Sequence, residues 1–430
     1  MSKPLSIAIA GLGTVGGGTL RLLERHAGLI EQRCGRPIKV AAVSARDRKR
    51  DRKLDLSGVA WFDDAVKMAK EAAAEVVVEL IGGSEGVAKS VCETAIAAGK
   101  HVVTANKALL AHHGTALALA AESKGVSLHF EAAVAGGIPI IKGLREGLAA
   151  NGISRVTGIL NGTCNYILTS MRETGKDFAE VLEEARKLGY AEADPSFDID
   201  GVDTAHKLAI LTSVAFGCET NFDAVYVEGI RHVSALDISF AEELGFRIKL
   251  LGIARLSERG VEQRVHPCLV PVRSSIAHVE DVNNAVMVKG DFVGNIVFQG
   301  RGAGAGPTAS AVVADLIDVA RGTKIPTFTV PAAKLAKIPA APMERHRGAY
   351  YLRLMVVDQP GVIAAVAAAL RDEDISMESM LQHGRAPAGA VPVVITTHET
   401  EEAAMNRALK RINDLKAVFE PPRMIRVEPL

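Results

Sequence analysis

Residues 5–10, LSIAIA, form a short apolar run that passes at once into the turn GLGTVGGG and then into a segment carrying Leu20, Leu22 and Leu23. Such a run has strand length, the glycines permit a sharp reversal, and the segment beyond is helix-like, so the order is strand, turn, helix. Gly11, Gly13 and Gly16 make a GxGxxG, with Thr14 and Val15 inside it. The first glycine permits the tight turn, the second lets a pyrophosphate approach the backbone, and the third packs helix against strand. The motif alone is a weak signal, but after a strand at the head of a βαβ pattern it favours dinucleotide binding over a plain loop. Apolar runs recur at IKVAAV (38–43), VVVELI (76–81), HVVTA (101–105) and VSLHFEA (126–132), separated by alanine-rich segments. One of those segments shows a buried face at Val87, Val91 and Ala95 and a stop at Gly99. Alternating strand and helix means a Rossmann-type doubly wound parallel sheet over residues 1–140.

The end of the second strand selects the cofactor: an acid there meets a free ribose 2′-hydroxyl, a basic residue a 2′-phosphate. The chain offers Arg46, then Asp47 and the basic run Arg48, Lys49, Arg50, Arg52 and Lys53. Arg46 tilts the choice to NADP(H), Asp47 keeps NAD(H) open, and the basic run also reads as a solvated loop. Lys107 closes TANK just past a strand's carboxyl end, where open parallel sheets place their ligands, although a first-turn surface lysine has the same pattern.

After VAGGIPIIKGL (134–144) the rhythm breaks, and residues 141–304 read as a second, α+β domain for catalysis and dimerisation, with a long strand at 246–256. GAGAGPTASAVVADLIDVARG (302–322) is a glycine loop and a helix bearing Val312, Val313, Leu316 and Val319, with 305–330 expected to return to the first domain. Pro331, Pro339 and Pro342 mark a linker at 331–347. From 348 to 430 the order is strand, turn DQPG, helix, strand, loop HGRAPAGA, strand, helix, strand, a ferredoxin-like βαββαβ.

Lys plus Arg and Asp plus Glu are both 50 in 430 residues, so no net field invites nucleic acid or an anionic membrane. No apolar run approaches the roughly 18–20 residues needed to span a bilayer, and a soluble, cytoplasmic protein is expected. The five cysteines, Cys34, Cys92, Cys164, Cys218 and Cys268, contain no CxxC pair and read as reduced thiols.

Ionisable chemistry concentrates in GYAEADPSFDIDGVDTAHK (189–207), where Glu192, Asp194, Asp198, Asp200 and Asp203 precede Lys207. Asp203 and Lys207 are four apart and share one helix face, either as a solvated surface pair or as a carboxylate and lysine offered to a pocket. His206 points about 100° away around that helix and reads as structural. In NGTCNY (161–166), Thr163 or Asn161 can hold a substrate oxygen, and Cys164 can attack a carbonyl only with an activating base, absent from the neighbouring ten residues on either side. The bend FEAAVAGGIPI (130–140), with Glu131, is either a packed turn or a cradle of oxygens for a hard cation.

Taken in order, AGLGTVGGG, TANK, VAGGIPII, NGTCNY, the acidic-lysine segment and GAGAGPTASAVVAD resemble homoserine dehydrogenase over essentially the whole chain, and the portion around DQPG (358–361) resembles an ACT domain. The resemblance implies reversible reduction of aspartate semialdehyde to homoserine by NAD(P)H, on the route to threonine, methionine and isoleucine. It makes Lys207 the proton donor and Lys107 a second active-site lysine close to the cofactor. It places Gly189, Glu192, Asp198, Asp203 and Thr163 at the substrate and Gly304 at the cofactor. Glu131 with the carbonyls of Val134, Gly136 and Ile138 becomes a monovalent cation site, usually for Na+. Threonine is the expected effector near Asp358 and Gly361, and a homodimer or homotetramer the expected assembly. Two departures are visible: Cys164 stands where many relatives have threonine, and Met355 where the ACT strand often carries a charge. Two other readings stay open, a semialdehyde dehydrogenase working through a thioester on Cys164 and a nucleotide-binding sensor without catalysis.

Overall fold

The computed structural model describes residues 3–384 and 389–430, so positions 385–388 of the expected loop HGRAPAGA lie outside the described residues. A six-stranded parallel sheet runs Ala60–Phe62, Ile38–Ser44, Leu5–Ala10, Val76–Glu79, His101–Thr104 and Leu128–His129 from edge to edge. The chain reverses direction across the sheet between Leu5–Ala10 and Val76–Glu79, which opens a crevice at the strands' carboxyl ends. The glycine turn follows from sterics. Gly11 has φ +102°, and a Cβ there would meet the Leu80 carbonyl oxygen at 2.5 Å. A Cβ on Gly16 would lie 2.0 Å from the Gly11 carbonyl oxygen, whereas one on Gly13 would meet nothing within 4 Å. The middle glycine alone faces open space.

Three local expectations change. The run 126–132 forms a strand only at Leu128–His129, because Glu131–Ala133 winds into a 3-10 turn. A short edge strand, Ala60–Phe62, lacks the apolar length that marks the others. Val87 is 53% exposed while Val91 and Ala95 are buried, because Val87 starts its helix beside an open cavity.

The helix Ala305–Arg321 lies on the helix Thr14–Arg25, close enough that a Cβ on Gly18 would meet the Ala305 carbonyl oxygen at 2.6 Å. Its Val312, Val313, Leu316 and Val319 share one core with Leu5, Ile7, Ile9 and Val43 of the parallel sheet.

A second, 11-stranded sheet begins with Gly294–Arg301, Asn283–Gly290, Ile153–Ile159, Phe246–Ser257 and Gly260–Pro271. It continues without a break into Arg423–Val427, Arg347–Val357, Ala390–Thr397 and Met377–Gln382. These last four are the strands of the ferredoxin-like unit, backed by helices Val362–Arg371 and Glu402–Asn413. The join is a parallel pairing of Cys268 with Arg426 and Leu269 with Val427. Nor is 331–347 a free spacer. The Ala336 amide donates to the Gly217 carbonyl (2.9 Å), Val261 to Pro339 (2.9 Å) and Ala341 to Val261 (2.9 Å).

Charge is buried at this join. Arg426 is 1% exposed, donates to Glu228 (2.8 Å) and to the Tyr226 hydroxyl (3.1 Å), and pairs with buried Glu402. Glu428 takes Arg155 at 2.6 Å and pairs with Arg264. Removing one partner of such a set strands the others' charge in a dry interior. Arg426→Ala is therefore expected to lower stability by about 3–5 kcal/mol in urea unfolding, whereas loss of an exposed pair such as Lys67 with Glu71 changes it by less than about 1 kcal/mol.

Candidate active site

The helix Val202–Phe216 is apolar nearly all round, so its few polar groups are carried inside. Asp203 is 2% exposed and Lys207 8%, which removes the surface-pair reading. Lys207 Nζ donates to Asp203 Oδ2 at 2.7 Å and to the Leu160 carbonyl at 2.6 Å. The other carboxylate oxygen, Asp203 Oδ1, pairs with Lys107 Nζ. One carboxylate thus separates two ammonium groups, each from a different domain. Burial alone would raise the Asp203 carboxyl, but Lys207 and then Lys107 outweigh it and hold it well below the usual range. For Lys207 the balance falls the other way: burial, helped by Lys107, lowers its pKa despite Asp203.

Lys107 is set by the sheet's carboxyl edge. Asn106 caps its helix, accepting the Leu109 amide at 3.0 Å and donating to the Gly83 carbonyl at 2.7 Å. Buried Glu79 takes the Ile81 and Gly82 amides (2.7 and 3.0 Å) on one oxygen and the Thr104 hydroxyl (2.6 Å) on the other, fixing the loop under the lysine. A cavity of about 600 Å³ opens there, lined by Gly82, Lys107, His112, Phe197, His206 and Phe222 among others. His206, read from the sequence as structural, is buried in packing and also lines this cavity. It stacks on Phe222 at 4.4 Å, lies 3.3 Å from His112, and is lowered to about 4 first by burial and then by His112. The 100° offset was right, but on a helix buried on most sides a second face can also line a pocket.

The loop before the helix Gly162–Thr174 binds the acidic segment. Thr163 Oγ1 donates to the Tyr190 carbonyl (2.7 Å) and to Asp198 Oδ2 (3.2 Å). Asn161 donates to both Asp198 and Asp203 at 2.8 Å. Gly189, φ +76°, turns the exposed chain after helix Phe178–Lys187, and Glu192 beyond it is exposed, with no hydrogen bond or ion pair among the described residues. Cys164 is fully buried, and burial followed by Asp198 and Asp203 pushes its thiol far above the ordinary value, the opposite of an activated nucleophile. The thioester route has no thiolate here.

A second cavity of about 710 Å³ runs over the glycine turn, lined by Gly11, Gly13, Ser44, Arg46, Arg50 and Arg52 among others. The cavity over the turn reaches Leu80 and Ile81, and the cavity at Lys107 starts at Gly82, so one loop borders both. Thr14 and Val15 begin the helix after the turn, and Gly304, φ +115°, caps the helix packed against it. Asp47 spends an oxygen on the Lys49 amide (2.8 Å), while Arg52 is tied to the Leu12 and Asp47 carbonyls (3.3 and 2.7 Å).

A family model described as homoserine dehydrogenase matches residues 139–317, one described as the homoserine dehydrogenase NAD-binding domain matches 11–131, and one described as the ACT domain matches 350–416. A homoserine dehydrogenase of Pseudomonas aeruginosa is 48% identical over 100% of both sequences. This chain belongs to the homoserine dehydrogenase family. It is an NAD(P)-dependent oxidoreductase. A Thiobacillus denitrificans homoserine dehydrogenase structure superposes with a TM-score of 0.94 at 48% identity, covering 99% of each chain. A hyperthermophilic archaeal homoserine dehydrogenase in complex with NADPH is 26% identical, with a TM-score of 0.65, over 75% of this chain and 100% of that one. Among the described residues, no helix is long and apolar enough to cross a membrane.

With its thiol packed and its pKa raised, Cys164 offers no activated nucleophile. Cys164→Ser is expected to keep homoserine oxidation within about threefold of the parent, and a loss of two decades in that assay would restore the thioester route.

Proposed function

We propose that this homoserine dehydrogenase interconverts L-aspartate 4-semialdehyde and L-homoserine with NADPH in preference to NADH, using Lys207 as proton donor and acceptor. The observation that carries the reading is the sharing of Asp203 between Lys207 and Lys107 next to a cavity that borders the nucleotide cleft. The open face of Gly13 and the arginines of the cleft fit a dinucleotide, and Arg46, Arg50 and Arg52 fit a 2′-phosphate. A bound nicotinamide supplies or takes the hydride. In the reduction direction the aldehyde oxygen gains negative charge, which Lys207 meets with a proton and Lys107 with a fixed charge. In the oxidation direction Lys207 takes the hydroxyl proton, and burial, by lowering its pKa, brings that step within reach at alkaline pH. Gly189, Thr163, Asp198 and Asp203 border the substrate, and Glu192, exposed and unpaired, meets its ammonium group.

For the cation, the buried Glu131 at the glycine bend supports the reading. Burial, then Asp315, raises the Glu131 carboxyl to about 7, which marks an acid short of counter-charge. Its oxygens accept the Ile141 and Lys142 amides (2.9 and 2.8 Å), so Na+ would rest chiefly on the carbonyls of Val134, Gly136 and Ile138. The left-handed Ala135 and Gly136 (φ +54° each) turn that bend. A folded-state carboxyl held above its unfolded value favours the folded state at low pH. That stability is lost as pH rises from the ordinary carboxyl value, about 4.3, toward 7. Thermal melts should therefore show a decline over this window that Glu131→Gln flattens and that Na+, compared with choline at equal ionic strength, reduces.

The ACT domain supports feedback by threonine near Asp358 and Gly361, the turn that starts the helix Val362–Arg371, within a cytoplasmic homodimer or homotetramer serving threonine, methionine and isoleucine synthesis. One assay tests these parts: homoserine oxidation with NADP and NAD in parallel, with and without threonine. NADP should give the higher kcat/KM and threonine should lower the rate. Lys207→Ala should lower kcat by two or more decades with NADPH affinity nearly unchanged, and near-normal turnover would sink the assignment.

A further inference from the structure

Asp203 can divide its two oxygens between two lysines only if its carboxylate plane is held. The holding group is one residue before the turn of helix Gly162–Thr174. Asn161 is 5% exposed, and its Nδ2 donates to Asp203 Oδ2 and to Asp198 Oδ1, each at 2.8 Å. Its Oδ1 accepts the Cys164 amide at 2.8 Å, capping the helix. The amide cannot be the other way round. Turned over, its oxygen would face two carboxylates and its NH2 would face an N–H donor. The residue before it supplies the matching half, since the Leu160 carbonyl accepts Lys207 Nζ at 2.6 Å. Residues 160 and 161 therefore hold the lysine by a carbonyl and its carboxylate by an amide, from the same point of the chain.

We infer that Asn161 is a positioning residue for the proton-transferring pair: its amide orients the Asp203 carboxylate so that Oδ2 serves Lys207 and Oδ1 serves Lys107, and it joins that carboxylate to Asp198. The inference rests on the proposed role of Lys207. A neutral double donor is the group this place requires. A carboxylate there would add a third negative charge beside Asp198 and Asp203, and a cation would compete with the two lysines for Asp203.

The helix-capping role and the positioning role separate by substitution. Serine and aspartate both cap helices well, but serine cannot span to both carboxylates and aspartate has no donor to give them. Asn161→Ser is expected to lower kcat about tenfold or more in both directions, with the melting temperature within a few degrees of the parent and KM for NADPH within about twofold. Asn161→Asp is expected to lose more. It should also displace the pH profile of homoserine oxidation upward, because an added negative charge keeps Lys207 protonated to higher pH. In an Asp203→Asn background, Asn161→Ser should cost little further, since both act through one carboxylate. Asn161→Ser and Asn161→Asp with kcat within twofold of the parent and superimposable pH profiles would overturn the inference. Should Lys207→Ala retain turnover, the proposed proton donor fails as well; should Lys207→Ala be inactive while both Asn161 variants behave as the parent, only the positioning role fails.

Discussion

The structure turns on one carboxylate. Asp203 is buried between an ammonium group from the helix Val202–Phe216 and another from the start of the helix Lys107–Ser123, so the substrate-side helix and the nucleotide domain meet at this charge. Taking Asp203 and Lys207 out of water is costly even with the half-buried Lys107 beside them, and such a set is weak evidence for stability. Its better explanation is geometric. A charge pair spanning two domains fixes how they approach, and here they approach where the nucleotide cleft and the lysine cavity share a loop. Most of the surroundings serve that meeting. Glu79, Thr104 and Asn106 set the Lys107 end, and Leu160 and Asn161 set the other.

The same economy appears at the ACT join. A separate regulatory module would expose the edge of its own sheet and need a linker, whereas here Arg423–Val427 continues the catalytic sheet beside Gly260–Pro271. Edge pairing removes two sets of unsatisfied backbone groups at once. From that strand the chain of contacts back to the site is short. Glu228, which meets Arg426, takes its amide to the Val265 carbonyl (2.7 Å), and Ile230 two residues on donates to the Ile199 carbonyl (2.9 Å), next to Asp198. Gly229 between them lies so near that a Cβ would meet the Ile199 carbonyl oxygen at 2.2 Å. The contacts along this route are between main-chain groups, not adaptable side chains.

What the sequence made legible follows from what local sterics and spacing can encode. The roles of Gly11, Gly13 and Gly16 were readable because each is a statement about where a Cβ can go, and the i,i+4 relation of Asp203 and Lys207 because a helix fixes it. Burial was not readable. The i,i+4 spacing of an Asp and a Lys looks the same on a wet helix and on one buried on most sides, as this helix is at Leu208, Ile210, Leu211 and Val214, and the packing around it decides. For the same reason the place of His206 beside the cavity was not readable. The seam carried no signal, since the partners of each pair, Arg426 with Glu228 and Glu402, and Glu428 with Arg155 and Arg264, are far apart in the chain and look like ordinary surface charges. Trp61 belongs to a strand of three residues, too short for any period to appear.

The pKa values of Asp203 and Lys207 both fall, but for different reasons. Charges at Glu192, Asp194, Asp198 and Asp200 invite the expectation that Lys207 is held protonated. Yet burial outweighs them, and with Lys107 beside it the lysine's pKa falls, while Asp203, facing two cations, stays ionised far into acid. A lysine at its ordinary value stays protonated near neutrality, so it is a weak acid and is seldom free to accept a proton. One lowered by burial can do both, at the cost of needing a partner that never takes the proton in its place. Asp203 is that partner because the second lysine, Lys107, depresses it further than Lys207 alone would. Lys107, which reaches the site from the nucleotide domain, thus lowers Lys207 directly by its charge and also helps keep the Asp203 carboxylate ionised.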